Sequence, residues 1–184
     1  MDAMTSPLLP ATPPPATPPA GTAPTGTVEA GATEAELAAI IELARARGAR
    51  TITIGSGRTP AATATADAIV TCWTRSGGSV RDMVTWPETA ASWLRQASRF
   101  CRHDTDLWVM TGPATGWAQM TRRLLWSTSW RPDRTLATAA IGTAHALRLV
   151  GPQHVEGLAG AAADGTTWSV TRTHLRSPAA GEER

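Results

Sequence analysis

Between residues 33 and 150, short β-branched or apolar runs alternate with stretches whose apolar positions recur at helical spacing. Leu37, Ile40, Ile41 and Ala44 fall at i, i+3, i+4 and i+7, the signature of a helix with one apolar face. Thr33 and Glu36 read as a capping box, each side chain taking an N–H group that helix geometry leaves orphaned. Gly48 is placed to end that helix in a left-handed cap. Thr51-Ile52-Thr53-Ile54 predicts a strand, residues 55–59 a turn, and Ala66, Ile69, Val70 and Trp73 the buried stripe of a second helix. Thr59 is placed to cap this helix, and Gly77-Gly78 to stop it.

The pattern then repeats. Residues 79–85 predict a strand, 86–89 a turn, and Ala90, Trp93, Leu94, Ala97 and Cys101 a helix face. Residues 106–110 predict a strong strand, 111–115 a turn, and Trp117, Met120, Thr121 and Leu124 the next helix. An Ala-rich strand over 135–140, a short helix over 144–150, an edge strand over 155–159 and a strand over 167–170 complete the reading.

Pro60, Pro87 and Pro113 mark the turns at intervals of 27 and 26 residues, close to the roughly 30 residues of a βαβ unit. Proline suits the first position of a helix, where its missing N–H would be unsatisfied anyway. The expected fold class is α/β, a three-layer α/β/α arrangement around a mostly parallel sheet, because right-handed crossovers put helices on both faces. Ligands of such sheets bind outside the carboxyl ends of the strands. That directs attention to residues 56–59, 86–89, 111–115 and 141–143.

Composition narrows the classes. Apart from Leu8 and Leu9, residues 7–26 are Pro, Ala, Thr and Gly with almost nothing to bury, so 1–32 is expected to be a disordered tail, 33–172 the domain, and 173–184 a frayed end. No basic and hydrophobic leader, lipid-anchor cysteine or membrane-length apolar run is visible, so the expectation is no membrane insertion and a cytoplasmic location as the chain stands. All 17 cations are Arg, with no Lys, Asn or Tyr, a bias of G+C-rich coding rather than a nucleic-acid footprint. No aromatic-studded basic stripe accompanies it, and no nucleic-acid partner is expected. Cys72 and Cys101 lack CxxC spacing and read as buried free thiols. The four histidines form no metal-ligand spacing. No metal or cofactor is expected.

The turns hold little catalytic chemistry. Gly55-Ser56-Gly57-Arg58-Thr59-Pro60 starts like a dinucleotide fingerprint, but proline stands where its third glycine belongs. Its glycines read as relief of backbone strain in a turn. Arg58 at a helix N-terminus could still hold a carboxylate or phosphate. Ser56 lacks a nucleophile-elbow context and an activating acid and histidine. Glu88 reads as an acid in the first turn of a helix, favoured by the macrodipole, with ligand contact as the alternative. Of the eight tryptophans, Trp73, Trp93 and Trp117 lie on helix faces at core spacing and Trp108 in a strand, whereas Trp86 leads into a crevice turn and could cover a ligand.

Several stretches together resemble the second lobe of a type I periplasmic binding protein of the branched-chain amino-acid group, the solute receptors of ABC transporters. The helix ending Gly48-Ala49-Arg50 and the strand Thr51-Ile52-Thr53-Ile54 are similar to that lobe's opening. Thr105-Asp106-Leu107-Trp108-Val109 resembles its Pro-Asp strand, and Leu149-Val150-Gly151 with Glu156-Gly157-Leu158 its closing segment. The resemblance implies reversible, non-enzymatic capture of a small solute for an ABC permease. By position it implies ligand contacts near Arg58-Thr59, Thr111 to Thr115 and Ile141-Gly142; with Ser56, Trp86 and Glu88 from the crevice loops, the candidate ligand set is Ser56, Arg58, Thr59, Trp86, Glu88, Thr111, Gly112 and Thr115. The family's ligand-holding aromatic and acid are replaced near Pro113 and Ile141, and its first lobe is expected to have no counterpart in the chain. Binding by a single lobe is expected to be weak, and a homodimer pairing crevice faces would rebuild a two-lobed site. The alternative reading is a cytoplasmic interaction or regulatory domain that kept the fold and lost the ligand.

Overall fold

Three helices begin at a threonine whose hydroxyl accepts an N–H of the first turn: Thr33 from Glu36, Thr59 from Ala62 and Thr143 from Ala146. These open α1 (Glu34–Ala46), α2 (Pro60–Arg75) and α5 (Ala144–Val150) in a computed structural model that describes residues 31–172 and 174–177. The other helices are α3 (Leu94–Phe100) and α4 (Ala114–Ser127). The strands are β1 (Thr51–Gly57), β2 (Ser79–Trp86), β3 (Leu107–Thr111), β4 (Thr135–Ala137), β5 (Ala159–Ala161), β6 (Thr167–Val170) and β7 (Leu175–Arg176).

The strands form one sheet in the order β2-β1-β3-β4-β5-β6-β7. The first five run parallel, and β6 and β7 are antiparallel additions. Both faces are buried, as the period of two along β3 illustrates. Leu107 and Val109 join a cluster with Ile40, Ile69 and Trp73 of α1 and α2. Trp108 and Met110 join Phe100, Trp117 and Leu147 of α3, α4 and α5. The result is the three-layer α/β/α arrangement. Asp106 pins the start of the sheet, its Oδ2 accepting the N–H groups of Arg50 and Thr51 at 2.9 and 2.8 Å.

Several elements depart from the sequence reading. Pro60 does open a helix, but Pro113 caps α4 from outside, and Pro87 precedes six non-helical residues before α3 begins at Leu94. Ala90 and Leu94 of the expected third helix face are exposed, and Ala97 and Phe100 do the packing. β1 runs through Gly57, so Gly55 and Gly57 lie in the strand, and neither has positive φ. They are there for room instead. A Cβ on Gly55 would stand 2.5 Å from the Trp86 ring, and one on Gly57 2.8 Å from both Glu88 Oε1 and Pro113. The expected edge strand over 155–159 is the interior strand β5, shifted to Ala159–Ala161. Leu175–Arg176 forms β7 within the segment expected to fray. The proline-rich tail lies outside the described residues, apart from Gly31 and Ala32. No helix among the described residues is long and apolar enough to cross a membrane.

Candidate functional site

In a sheet of order 2-1-3-4-5 the connections from the first strand leave in opposite directions, which opens a crevice between β1 and β3 at their carboxyl ends. A cleft of about 530 Å3 lies there. Thr111 at the end of β3 and Gly112 of the β3–α4 loop line it together with residues 138–140 after β4, and the first turns of α1, α2 and α4 close its sides. Its surface is alanine, glycine, threonine and Pro113 apart from one charged side chain, Glu36.

Glu36 is only 3% exposed. Its Oε1 accepts the Ala139 N–H at 2.6 Å, joining α1 to the loop after β4. Burial pushes its carboxyl above the usual range, opposed by the N–H groups of Ala139 and Thr33. The threonine hydroxyls are held by internal bonds. Thr138 donates to Thr111 at 2.9 Å, Thr65 accepts the Ala32 N–H at 3.0 Å, and Thr33 donates to the Ala163 carbonyl at 2.5 Å. The cleft is therefore preformed: a small apolar bowl with one desolvated carboxyl. Two properties follow from this lining. It can hold a compact organic solute by apolar contact, and it offers a single acceptor for a donor or cation.

Of the residues named from sequence, Thr111 and Gly112 line this cleft. Gly112 has φ +133°, and a Cβ there would meet Gly57 N at 2.7 Å, so the loop passes too close to β1 for a side chain. Thr59 caps α2. Ser56 is buried in β1 in register with Thr111. Thr115 is exposed outside the cleft wall. Trp86 is fully buried at the end of β2, beneath α3, rather than over a crevice loop. Glu88 is not in a helix of its own. Its Oε2 accepts the Gly116 N–H at 2.9 Å, in the first turn of α4. Arg58 is exposed and faces a different groove along β2. Ile141 is fully buried, since β4 ends at Ala137 and leaves residues 138–140 at the cleft.

Sequence reasoning missed Glu36, Thr65 and Thr138 as cleft residues. Glu36 carried a legible signal: it lies four residues before Ile40 and eight before Ala44, on the buried stripe of α1. A carboxylate on an apolar helix face needs a partner inside the fold. Thr65 and Thr138 carried none. Among the described residues no group of three His, Cys, Asp or Glu side chains is placed to hold a metal ion.

No family model and no curated sequence matches the chain. Solved structures do. A leucine-binding protein, LivK, from Thermotoga maritima is 19% identical, with TM-score 0.58, over 67% of this chain and 35% of that one. An extracellular ligand-binding receptor from Rhodopseudomonas palustris HaA2 is 16% identical, with TM-score 0.59, over 69% and 34%. An ABC-transporter solute-binding protein from R. palustris, in complex with 4-hydroxybenzoate, is 16% identical, with TM-score 0.55, over 68% and 34%. The chain thus spans about a third of the length of the structures it matches. It has the α/β fold of the type I periplasmic binding proteins, in one unit of mostly parallel sheet.

Proposed function

We propose that this chain is a small-solute-binding module of the ABC-transporter receptor type, working by reversible capture without chemistry. The observation that carries the reading is the preformed cleft at the β1/β3 switch point, on a fold whose solved relatives are solute-binding proteins. Glu36 supplies the polar anchor, and the alanine-rich walls of α2 and α4 supply apolar contact. Tight pockets enclose about 70–90% of a ligand, and a cleft on one lobe covers one side of it. Affinity of the isolated chain is accordingly low, and a facing lobe or a second copy completes the enclosure. Delivery to a membrane permease follows from the same reading.

Calorimetry against leucine and 4-hydroxybenzoate, followed by a panel of small amines and organic acids, tests it. A bound solute should be lost in Ala114→Leu, which fills the cleft from its rim at a half-buried position, with circular dichroism confirming that the variant remains folded. A chain that binds none of the panel, or binds equally well with the cleft filled, would overturn the reading.

A further inference from the structure

The other strongly charged feature is a groove of about 700 Å3 along the outer side of β2, the free edge of the parallel part of the sheet. Strand residues 81–85 line it without interruption, so it follows the edge itself rather than either face of the sheet. At about 3.3 Å per residue, those positions span roughly 13 Å. That is long for a simple ion and fits an extended chain.

Arg58, Arg81, Arg95, Arg99 and Arg102 border this groove against one carboxylate, Asp82. Arg99 is committed to it, Nε to Oδ2 at 2.9 Å and Nη2 to Oδ1 at 2.6 Å, a bidentate pair. The other four guanidinium groups have no hydrogen-bond or ionic partner among the described residues. Arg81 is aimed by a bulge: Val80 and Asp82 pair with the successive residues Ile52 and Thr53, and Arg81 is left over between them. Within the same groove the Gln96 Oε1 is buried with no donor. The site therefore lacks negative charge and one N–H group.

We propose that this groove binds an extended acidic segment of a partner protein. Its carboxylates meet Arg58, Arg81, Arg95 and Arg102, and one of its backbone N–H groups donates to Gln96 Oε1. A second copy of this chain is the wrong occupant, because the same edges would set arginine against arginine. Single-stranded nucleic acid is disfavoured because no Phe, Tyr or Trp side chain lines the groove as a stacking platform, His103 being its one ring. Side chains rather than an added strand hold the segment. The bulge interrupts the ladder at Arg81, and Asp82 Oδ1 already takes the Met83 N–H at 2.8 Å.

Fluorescence anisotropy of a labelled octapeptide of alternating Glu and Ser, titrated with the full chain, tests the proposal. We expect saturable binding that weakens about tenfold or more in the exposed double variant R81E/R95E, and also in Q96L. Binding should also fall steeply as salt rises toward about 1 M, where screening acts within about 3 Å. Circular dichroism confirms that each variant remains folded. Absence of binding, affinity unchanged in R81E/R95E or in Q96L, or tighter binding of an oligothymidylate of equal length would overturn the assignment.

Discussion

Glu36 and Asp106 show how one carboxyl can act in opposite senses on stability. Glu36 sits inside the fold, and burial raises its pKa, so the folded chain keeps its proton to higher pH than the unfolded chain. Stability then falls as pH rises from about 4.3 through the higher folded value. Glu36→Gln keeps an oxygen for the Ala139 N–H and removes that penalty, so thermal unfolding should show equal or greater stability at neutral pH. Glu36→Ala leaves the half-buried Ala139 N–H without its side-chain partner, at a cost of about 1 kcal/mol. If the alanine variant unfolds at the wild-type temperature, the bond across the cleft contributes nothing. Asp106 behaves inversely. The N–H groups of Arg50 and Thr51 and the Thr51 hydroxyl bind its ionised form and depress its pKa. Its contribution is present above the unfolded value of about 3.9 and is lost as pH falls through the lower folded one. Because the residue is exposed, screening limits the effect, and Asp106→Ala should cost about 1 kcal/mol at pH 7 and nothing at low pH. Denaturant titrations at the two pH values compare these. The sequence allowed a partial reading of both residues. Glu36 was visible on the apolar stripe of α1 and Asp106 in the strand motif, but their partners lie 103 and 55 residues away, beyond any local pattern.

At the scale of elements, local signals succeeded where a turn closes on itself and failed where another segment supplies the partner. Thr59, Pro60 and Thr143 define helix starts through bonds within four residues, and those starts are where the pattern puts them. The repeat of three prolines suggested three equivalent helix starts, yet the segment after Pro87 stays non-helical. There, Trp93 Nε1 donates to the Pro87 carbonyl at 3.0 Å, and Glu88 turns away to α4. An acid at a helix N-terminus was the right physics on the wrong helix: α4 begins at Pro113 with no side-chain cap, and Glu88 serves it from outside. Glu88→Ala should therefore destabilise by about 1–2 kcal/mol, whereas Thr89→Ala next to it, exposed, should be nearly neutral. Equal stability of the two variants in urea would show that α4 does not depend on this contact. Tryptophan divides in the same way. Helical and strand spacing put Trp73, Trp93, Trp108 and Trp117 at core positions, of which Trp93 is only half-buried, and gave no sign that Trp126 on α4 is 85% exposed.

For the whole molecule, the parallel core and its two antiparallel additions imply a gradient of stability. β1 is paired on both sides over most of its length and is buried on both faces, whereas β7 contributes two residues at the margin. Amide hydrogen exchange should be slowest in β1 and β3 and faster by orders of magnitude in β6 and β7. Uniform protection across the sheet would contradict that ranking. The alternation of β-branched runs with amphipathic helices was enough, in the sequence alone, to determine the α/β class, the two-sided burial and the strand-end position of the loops. These follow from side-chain periodicity and from the handedness of crossovers, both local properties of the chain. Only the tertiary structure decided which loops share the cleft, because strand order is set by packing between distant segments. That order joins Glu36 of the first helix to Thr111 and to residues 138–140, while it carries Arg58 to the arginine groove and seals Trp86 in the core.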